Sequence, residues 1–160
     1  MCLDIHVDSL EFSQLRIIDG NGQVTELDLE KELRVNEYSM QEEFLNQAPK
    51  YIYWASILEK VRMYQESASL ALEVVGAQMN EKAREYYKTV DTKPTKDQVE
   101  AYILQQEEYQ VAYKQLLTYN HLVKQLQYVV KAFEQRKDML IQYGADLRKN
   151  KDNGISPNFG

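Results

Sequence analysis

The feature that most limits how this chain can fold is an apolar stripe, repeating every three or four residues, on each side of one proline turn. We call each stripe a seam. The first has nine apolar or aromatic members among its eleven positions, which are Tyr51, Trp54, Leu58, Val61, Gln65, Ala68, Leu72, Val75, Met79, Lys82 and Tyr86. All members of the second are apolar or aromatic: Tyr109, Ala112, Leu116, Tyr119, Val123, Leu126, Val130 and Phe133. This period is that of an amphipathic helix in a coiled coil. We therefore predict two long helices, over residues 50–89 and 95–149.

Helix starts and stops follow from local motifs. Ser39 with Glu42, and Thr95 with Gln98, have the spacing of a capping box, in which each side chain bonds the other residue's backbone N–H. Pro49 is expected to interrupt the first helix or to open a new one, because proline lacks the N–H that a helix interior needs. The turn over residues 91–94 is short, so the two helices must run antiparallel. The predicted fold is all-α, a long helical hairpin of coiled-coil type.

A single hairpin of this kind buries only a narrow stripe on each helix. Further apolar residues lie beside the seams, for example Tyr113, Leu117 and Ile141, and these need additional partners. We therefore expect a homo-oligomer. The residues predicted to form its contacts are those of the second seam and its continuation, namely Leu116, Tyr119, Val123, Leu126, Val130, Phe133 and Leu140.

The acidity of the chain belongs to its N-terminal part. The net charge is −6, and residues 1–38 hold nine acids and three bases, which is also −6. Residues 39–160 then hold 25 − 9 = 16 acids and 19 − 3 = 16 bases. We predict an acidic arm over residues 1–38, a helical oligomerisation domain over 39–150, and a disordered tail over 151–160.

Within the arm, Asp19-Gly20-Asn21-Gly22 is a strong turn motif between two β-prone runs, which predicts a small hairpin. The same stretch partly imitates a calcium loop. However, Ile17 occupies the first ligand position, and the last is Asp28 rather than a glutamate. We assign no metal ion to it.

Catalysis has little support in the sequence. The two histidines, His6 and His121, lie far apart without an acid or cysteine at ligand spacing, and no phosphate-binding glycine loop is present. We expect no enzyme activity and no cofactor. No apolar run is long enough to span a membrane, and Cys2, the single cysteine, is consistent with a reducing cytoplasm.

The stretch from Glu81 to Lys88 combines cations with two adjacent tyrosines. Cations can hold a phosphate backbone, and tyrosine rings can stack unpaired bases. The predicted DNA-binding residues are Lys82, Arg84, Tyr86, Tyr87 and Lys88. A second basic cluster lies on the last helix and its exit, with members Lys131, Arg136, Lys137, Arg148, Lys149 and Lys151. The alternative interpretation of both clusters is a solvated helix surface.

The run Lys82-Ala83-Arg84-Glu85-Tyr86-Tyr87 closes one long helix, and a second ends in Ala132-Phe133-Glu134-Gln135-Arg136 before a basic exit. In these features residues 40–150 resemble phage recombination mediators of the UvsY type. The resemblance implies a closed ring of several copies that binds single-stranded DNA. Such mediators load a RecA-like recombinase onto DNA covered by single-strand-binding protein. The resemblance also assigns DNA contact to Lys82 and Arg84, and Lys88 is added because of its position.

Three features depart from this family: the long acidic arm, the acidic net charge and the loop over residues 91–94. The alternative function is a structural coiled-coil oligomer, such as a phage assembly or scaffolding factor, that does not bind DNA.

Overall fold

The structure is a computed structural model and describes residues 6–11, 14–18, 22–152 and 154. Within these described residues, three strands come first, and four α-helices and one 3₁₀ turn follow. The strands are β1 (His6–Glu11), β2 (Gln14–Ile18) and β3 (Val24–Leu27); the helices are α1 (Leu29–Leu33), α2 (Met40–Thr89), α3 (Lys96–Gln105) and α4 (Glu107–Asp152), with the 3₁₀ turn at Glu37–Ser39.

The chain divides into two compact units, which we call the first unit (residues 1–58 and 125–160) and the second unit (59–124). In each unit α2 and α4 pack against each other in opposite directions. In the first unit Phe44 lies against Gly144, and the Tyr51 hydroxyl donates to Glu134 at 3.4 Å. In the second, Gln65 bonds Asn120 at 2.6 Å and Lys82 reaches Glu108 at 3.3 Å. The predicted all-α antiparallel hairpin is confirmed.

The seams supply the core of each unit. In the first unit Trp54 (1 % exposed) stacks on Phe133 (0 % exposed), with ring centroids 6.2 Å apart. In the second unit the ring of Tyr119 stacks at 5.8 Å on that of Tyr64, which lies beside the first seam. Burying one large apolar side chain contributes about 1.5–3 kcal/mol, so these contacts dominate the helix pairing.

The strands form one antiparallel sheet in the order β1-β2-β3. β2 and β3 pair in register from Leu15 opposite Leu27 to Ile18 opposite Val24. The turn residues between them, Asp19 to Asn21, lie outside the described part of the chain, as do Cys2 and most of the predicted tail, residues 153 and 155–160. The arm and tail boundaries stay predictions.

The segment that follows the sheet is held on the long helices. Asp28 caps α1 by accepting from the Lys31 N–H at 3.2 Å, and the Leu29 side chain is buried. Lys50 on α2 pairs with the Glu32 carboxylate at 3.6 Å and also donates to the Glu32 carbonyl at 3.3 Å. Residues 28–32 therefore contribute to the packing of the first unit.

Three expectations about helix boundaries were wrong in detail. α2 runs without interruption through Pro49, whose ring is exposed, so the Leu45 carbonyl that loses its donor can bond water. The start of α2 follows a 3₁₀ turn capped by Asn36, which accepts from the Tyr38 N–H at 3.0 Å, in place of a Ser39 capping box.

The second long helix is also broken, at Gln106, whose backbone is extended (φ −78°, ψ 129°). Two glutamine side chains replace helical donors there. Gln106 donates to the Tyr102 carbonyl at 3.0 Å, and Gln110 donates to the Leu104 carbonyl at 2.8 Å. α3 and α4 are therefore separate helices, although no glycine or proline lies between them.

Candidate nucleic-acid interface

The predicted binding residues occupy the last two turns of α2, whose end is defined by a Schellman motif. The Thr92 N–H donates to the Tyr87 carbonyl at 3.1 Å, and the Asp91 N–H donates to the Lys88 carbonyl at 3.2 Å. Asp91 takes the left-handed conformation (φ 55°) that this motif requires. The predicted Thr95–Gln98 capping box then starts α3 and is confirmed. The tyrosines are thus fixed at a well-defined helix end.

Lys82 and Arg84 leave α2 on opposite flanks, because Ala83 between them is fully buried (0 % exposed). The sequence placed Lys82 and Tyr86 on the seam, and this is corrected: after Met79 the buried line continues through Ala83, with Tyr87 half-buried. A step of four residues instead of three keeps the lysine ammonium out of the core, where an unpaired charge would be costly.

Each of these two cations has a polar partner. The Lys82 ammonium lies 3.3 Å from the Glu108 carboxylate, and both side chains are more than half exposed. Arg84 donates from Nε to the Asn80 side chain at 2.8 Å on its own helix. Exposed pairs of this kind contribute about 0–1 kcal/mol, so a phosphate could displace either partner at little cost.

The aromatic part of the site is larger than the sequence indicated. Tyr86 is 52 % exposed, and its ring lies 5.2 Å from Tyr87 and 5.6 Å from Tyr102 on α3. Tyr102 was missed because it belongs to neither seam and no basic residue adjoins it. Its only sequence signal is that it follows the capped start of α3 by two turns.

The site therefore has two sides around buried Ala83. Lys82 and Tyr86, four residues apart, share one flank, which also carries the contacts to Glu108 and Tyr102. Arg84 and Lys88, also four residues apart, share the other flank and are exposed. Between Lys82 and Lys96 the chain holds five cations and two acids, a net charge of +3, which Glu108 partly offsets.

The second basic cluster is not a uniform surface, because Arg136 is buried (2 % exposed). Its guanidinium donates to the carbonyls of Leu33 (3.0 Å) and Arg34 (3.4 Å), to Gln47 (2.5 Å) and to the Glu43 carboxylate. The grouping of Arg136 with exposed lysines is therefore corrected: it joins the N-terminal segment to α2 and α4 in the first unit. Nothing in the spacing of the lysines and arginines distinguishes it.

The contact with Arg136 also affects the pKa of Glu43. Burial would raise the pKa of its carboxyl group, but the Asn36 N–H, the hydrogen bond and charge of Arg136, and the charge of Lys50 together lower it. The carboxylate is thus kept ionised beside a buried guanidinium, which is a structural arrangement and leaves no group free for a ligand.

The residues predicted to join copies lie largely inside a single chain. Phe133 and Leu140 are almost fully buried, Val123 and Leu126 are buried, and the other three are half-buried, namely Leu116, Tyr119 and Val130. Their contacts with α2 explain the folding of one chain. That they also contact a second copy stays a prediction.

Among the described residues, no group of three or more His, Cys, Asp and Glu side chains could hold a metal ion. In the same part of the chain no helix has the length and apolarity to cross a membrane. No protein-family model, no curated protein and no solved structure matches this chain.

Proposed function

We propose that this protein binds single-stranded DNA as a recombination mediator of the UvsY type. In this role a ring of copies in the cytoplasm, the host cytoplasm if a phage encodes it, loads a RecA-like recombinase onto DNA covered by single-strand-binding protein. The observation that carries the proposal is the exposed surface at the end of α2, where cations lie on both flanks and Tyr86 stands 52 % exposed. The resemblance described above supplies the partner proteins.

The binding mode follows from the residue types. Lys82, Arg84 and Lys88 would neutralise backbone phosphates, which makes affinity fall as salt rises. Tyr86 offers a ring face to an unpaired base, an interaction worth about 1–3 kcal/mol and tolerant of sequence. Duplex DNA keeps its bases stacked, so the tyrosines favour single strands.

Several copies would strengthen a weak site. Each copy contributes three cations at the end of α2, and each existing partner must be displaced by a phosphate. Binding one strand at several copies makes the later contacts intramolecular, so the combined affinity exceeds that of one site.

The alternative is a structural coiled-coil oligomer without DNA binding, and one observation favours it. Lys82 already pairs with Glu108, and Arg84 already bonds Asn80, so neither cation requires an anionic ligand. This alternative expects no affinity for an oligonucleotide at about 50 mM salt, where electrostatic binders bind most strongly.

The test compares two double variants, each of which removes one lysine and one arginine at a different position along α2. One is Lys82→Ala with Arg84→Ala. Its control is Lys60→Ala with Arg62→Ala, because Lys60 and Arg62 likewise flank a buried residue, Val61 (1 % exposed). Binding of fluorescent oligo(dT) is measured by anisotropy from about 50 to 200 mM salt.

We expect the first variant to lose affinity. Its negative slope of log K against log salt should also become shallower by about 1.4, which is 0.7 for each lost phosphate contact. The control should bind like the parent chain. Equal losses in both variants would refute the site, and a parent chain that does not bind would refute the function.

A further inference from the structure

Helix α2 has a second apolar line on the side opposite its buried seam. In the second unit Met63, Leu70 and Val74 are 52 %, 62 % and 48 % exposed, and Ser67 lies between them. The spacing i, i+4, i+7 and i+11 places the four on one side of a helix. Buried Val61 and Ala68 lie on the opposite side, with buried Tyr64 at its edge. α2 is thus apolar on two faces, and its own chain covers one of them.

Helix α4 also has an outward face in the second unit. Tyr113 and Leu117, four residues apart, are 46 % and 39 % exposed, and exposed Lys124 continues the same line at i+11. The buried residues Leu122 and Val123 point to other sides of the helix.

The two outward faces differ in charge. Residues 63–80 of α2 contain two glutamates, Glu66 and Glu73, and no lysine or arginine. Residues 109–124 of α4 contain two lysines, Lys114 and Lys124, and no acid. All four side chains are exposed. At 3.6 residues per turn Glu66 and Glu73 border the apolar face of α2 on one edge, whereas Lys124 lies on the apolar face of α4 and Lys114 borders it. The α2 face is therefore edged by acids, and the α4 face carries bases.

We infer that the acidic face of α2 in one copy docks on the basic face of α4 in a second copy. Within one chain the two helices meet through their opposite, buried sides, so these outward faces can meet only between molecules. Pairing two α2 faces would bring Glu66 and Glu73 beside their own equivalents, and pairing two α4 faces would do the same with lysines. Like charges across a contact are destabilising, which favours the mixed pairing.

A mixed contact leaves one unused face on each partner, so it repeats until a ring closes or a filament grows. The inference takes from the proposed function the expectation that copies associate. It replaces the seam residues as the contact surface, since those are occupied within one chain.

The test is a charge exchange followed by mass measurement in solution without DNA. Glu66→Lys with Glu73→Lys alters the α2 face, Lys114→Glu with Lys124→Glu alters the α4 face, and Glu100→Lys on α3 is the control. Because every altered side chain is exposed, circular dichroism should show an unchanged helix content in all variants.

The parent chain and the control should have a mass several times 18.8 kDa, and each double variant should fall to 18.8 kDa. In a 1:1 mixture of the double variants each α2 face meets an α4 face of opposite charge, so assembly should resume and the mass should again be several times 18.8 kDa. The fourfold variant should recover the parent mass.

A monomeric parent chain, an α4 variant that keeps the parent mass, or a fourfold variant that stays monomeric would each overturn the inference. A chain that assembles as expected but does not bind oligo(dT) would instead refute only the proposed function. A monomer that binds oligo(dT) would refute this inference and leave DNA binding standing.

Discussion

Each unit contains an arginine with a distinctive environment, and the two environments are opposite. In the first unit Arg136 is 2 % exposed and donates to two backbone carbonyls, a glutamine and a carboxylate. In the second unit Arg84 is exposed and bonds only the Asn80 side chain among the contacts described. A guanidinium enclosed by fixed acceptors stabilises the fold, whereas one at the surface stays available to an anion. The difference shows that a count of cations cannot identify a binding surface.

The largest expected effect tests this comparison directly, by removing each guanidinium in turn. Arg136→Ala leaves Glu43 partly buried without its partner, and we expect the free energy of unfolding to fall by about 3–5 kcal/mol. Arg84→Ala should change it by less than about 0.5 kcal/mol. Urea titrations followed by circular dichroism measure both. A small loss for Arg136→Ala would mean that the N-terminal segment contributes little to stability.

Acid should weaken the first unit through Glu43. Its folded pKa lies below the ordinary value of 4.5, so its ionised form contributes stability that is fully present above that value. That contribution is lost as the pH falls through the folded pKa. Glu43→Gln should therefore cost about 1–3 kcal/mol at pH 7 and progressively less as the pH falls below 4.5, as measured by urea midpoints over a series of pH values. A cost that does not depend on pH would show that the charge is unimportant.

The smallest expected effect comes from alanine substitutions at two helical glycines, one in each unit. A Cβ on Gly76 would lie 3.6 Å from Tyr109, which is an ordinary contact, so Gly76→Ala should gain about 1 kcal/mol of helix stability. A Cβ on Gly144 would lie 2.9 Å from the Phe44 ring, which must move, and the same substitution should gain nothing or destabilise. Thermal unfolding of the two variants distinguishes them. Equal gains would mean that Phe44 shifts freely.

The sequence predicted the parts of the fold that depend on periodicity and local capping. The seams gave the antiparallel pairing of α2 with α4, and Thr95 with Gln98 gave the start of α3. The break at Gln106 could not be predicted, because it depends on two glutamine amides that bond backbone carbonyls. Glutamine in a helix is otherwise unremarkable.

The candidate site was predicted in composition but not in arrangement. Seven-residue spacing put Lys82 on the seam, yet an α-helix has 3.6 residues per turn and drifts from that repeat, so Ala83 takes the buried place. Tyr102 and Glu108 join the site from α3 and α4, and only tertiary structure brings them there.

The proline inside α2 has a consequence for how the first turns of the helix are held. Pro49 has no N–H to donate to the Leu45 carbonyl. One of the backbone hydrogen bonds that join the first turns of α2 to the remainder of the helix is therefore missing. Those turns are also attached through Glu43 and Gln47, which both bond Arg136, and through Gln47 to the Phe133 carbonyl at 2.6 Å. Side-chain contacts to α4, in addition to the helix's own backbone hydrogen bonds, therefore hold the beginning of α2 in the first unit.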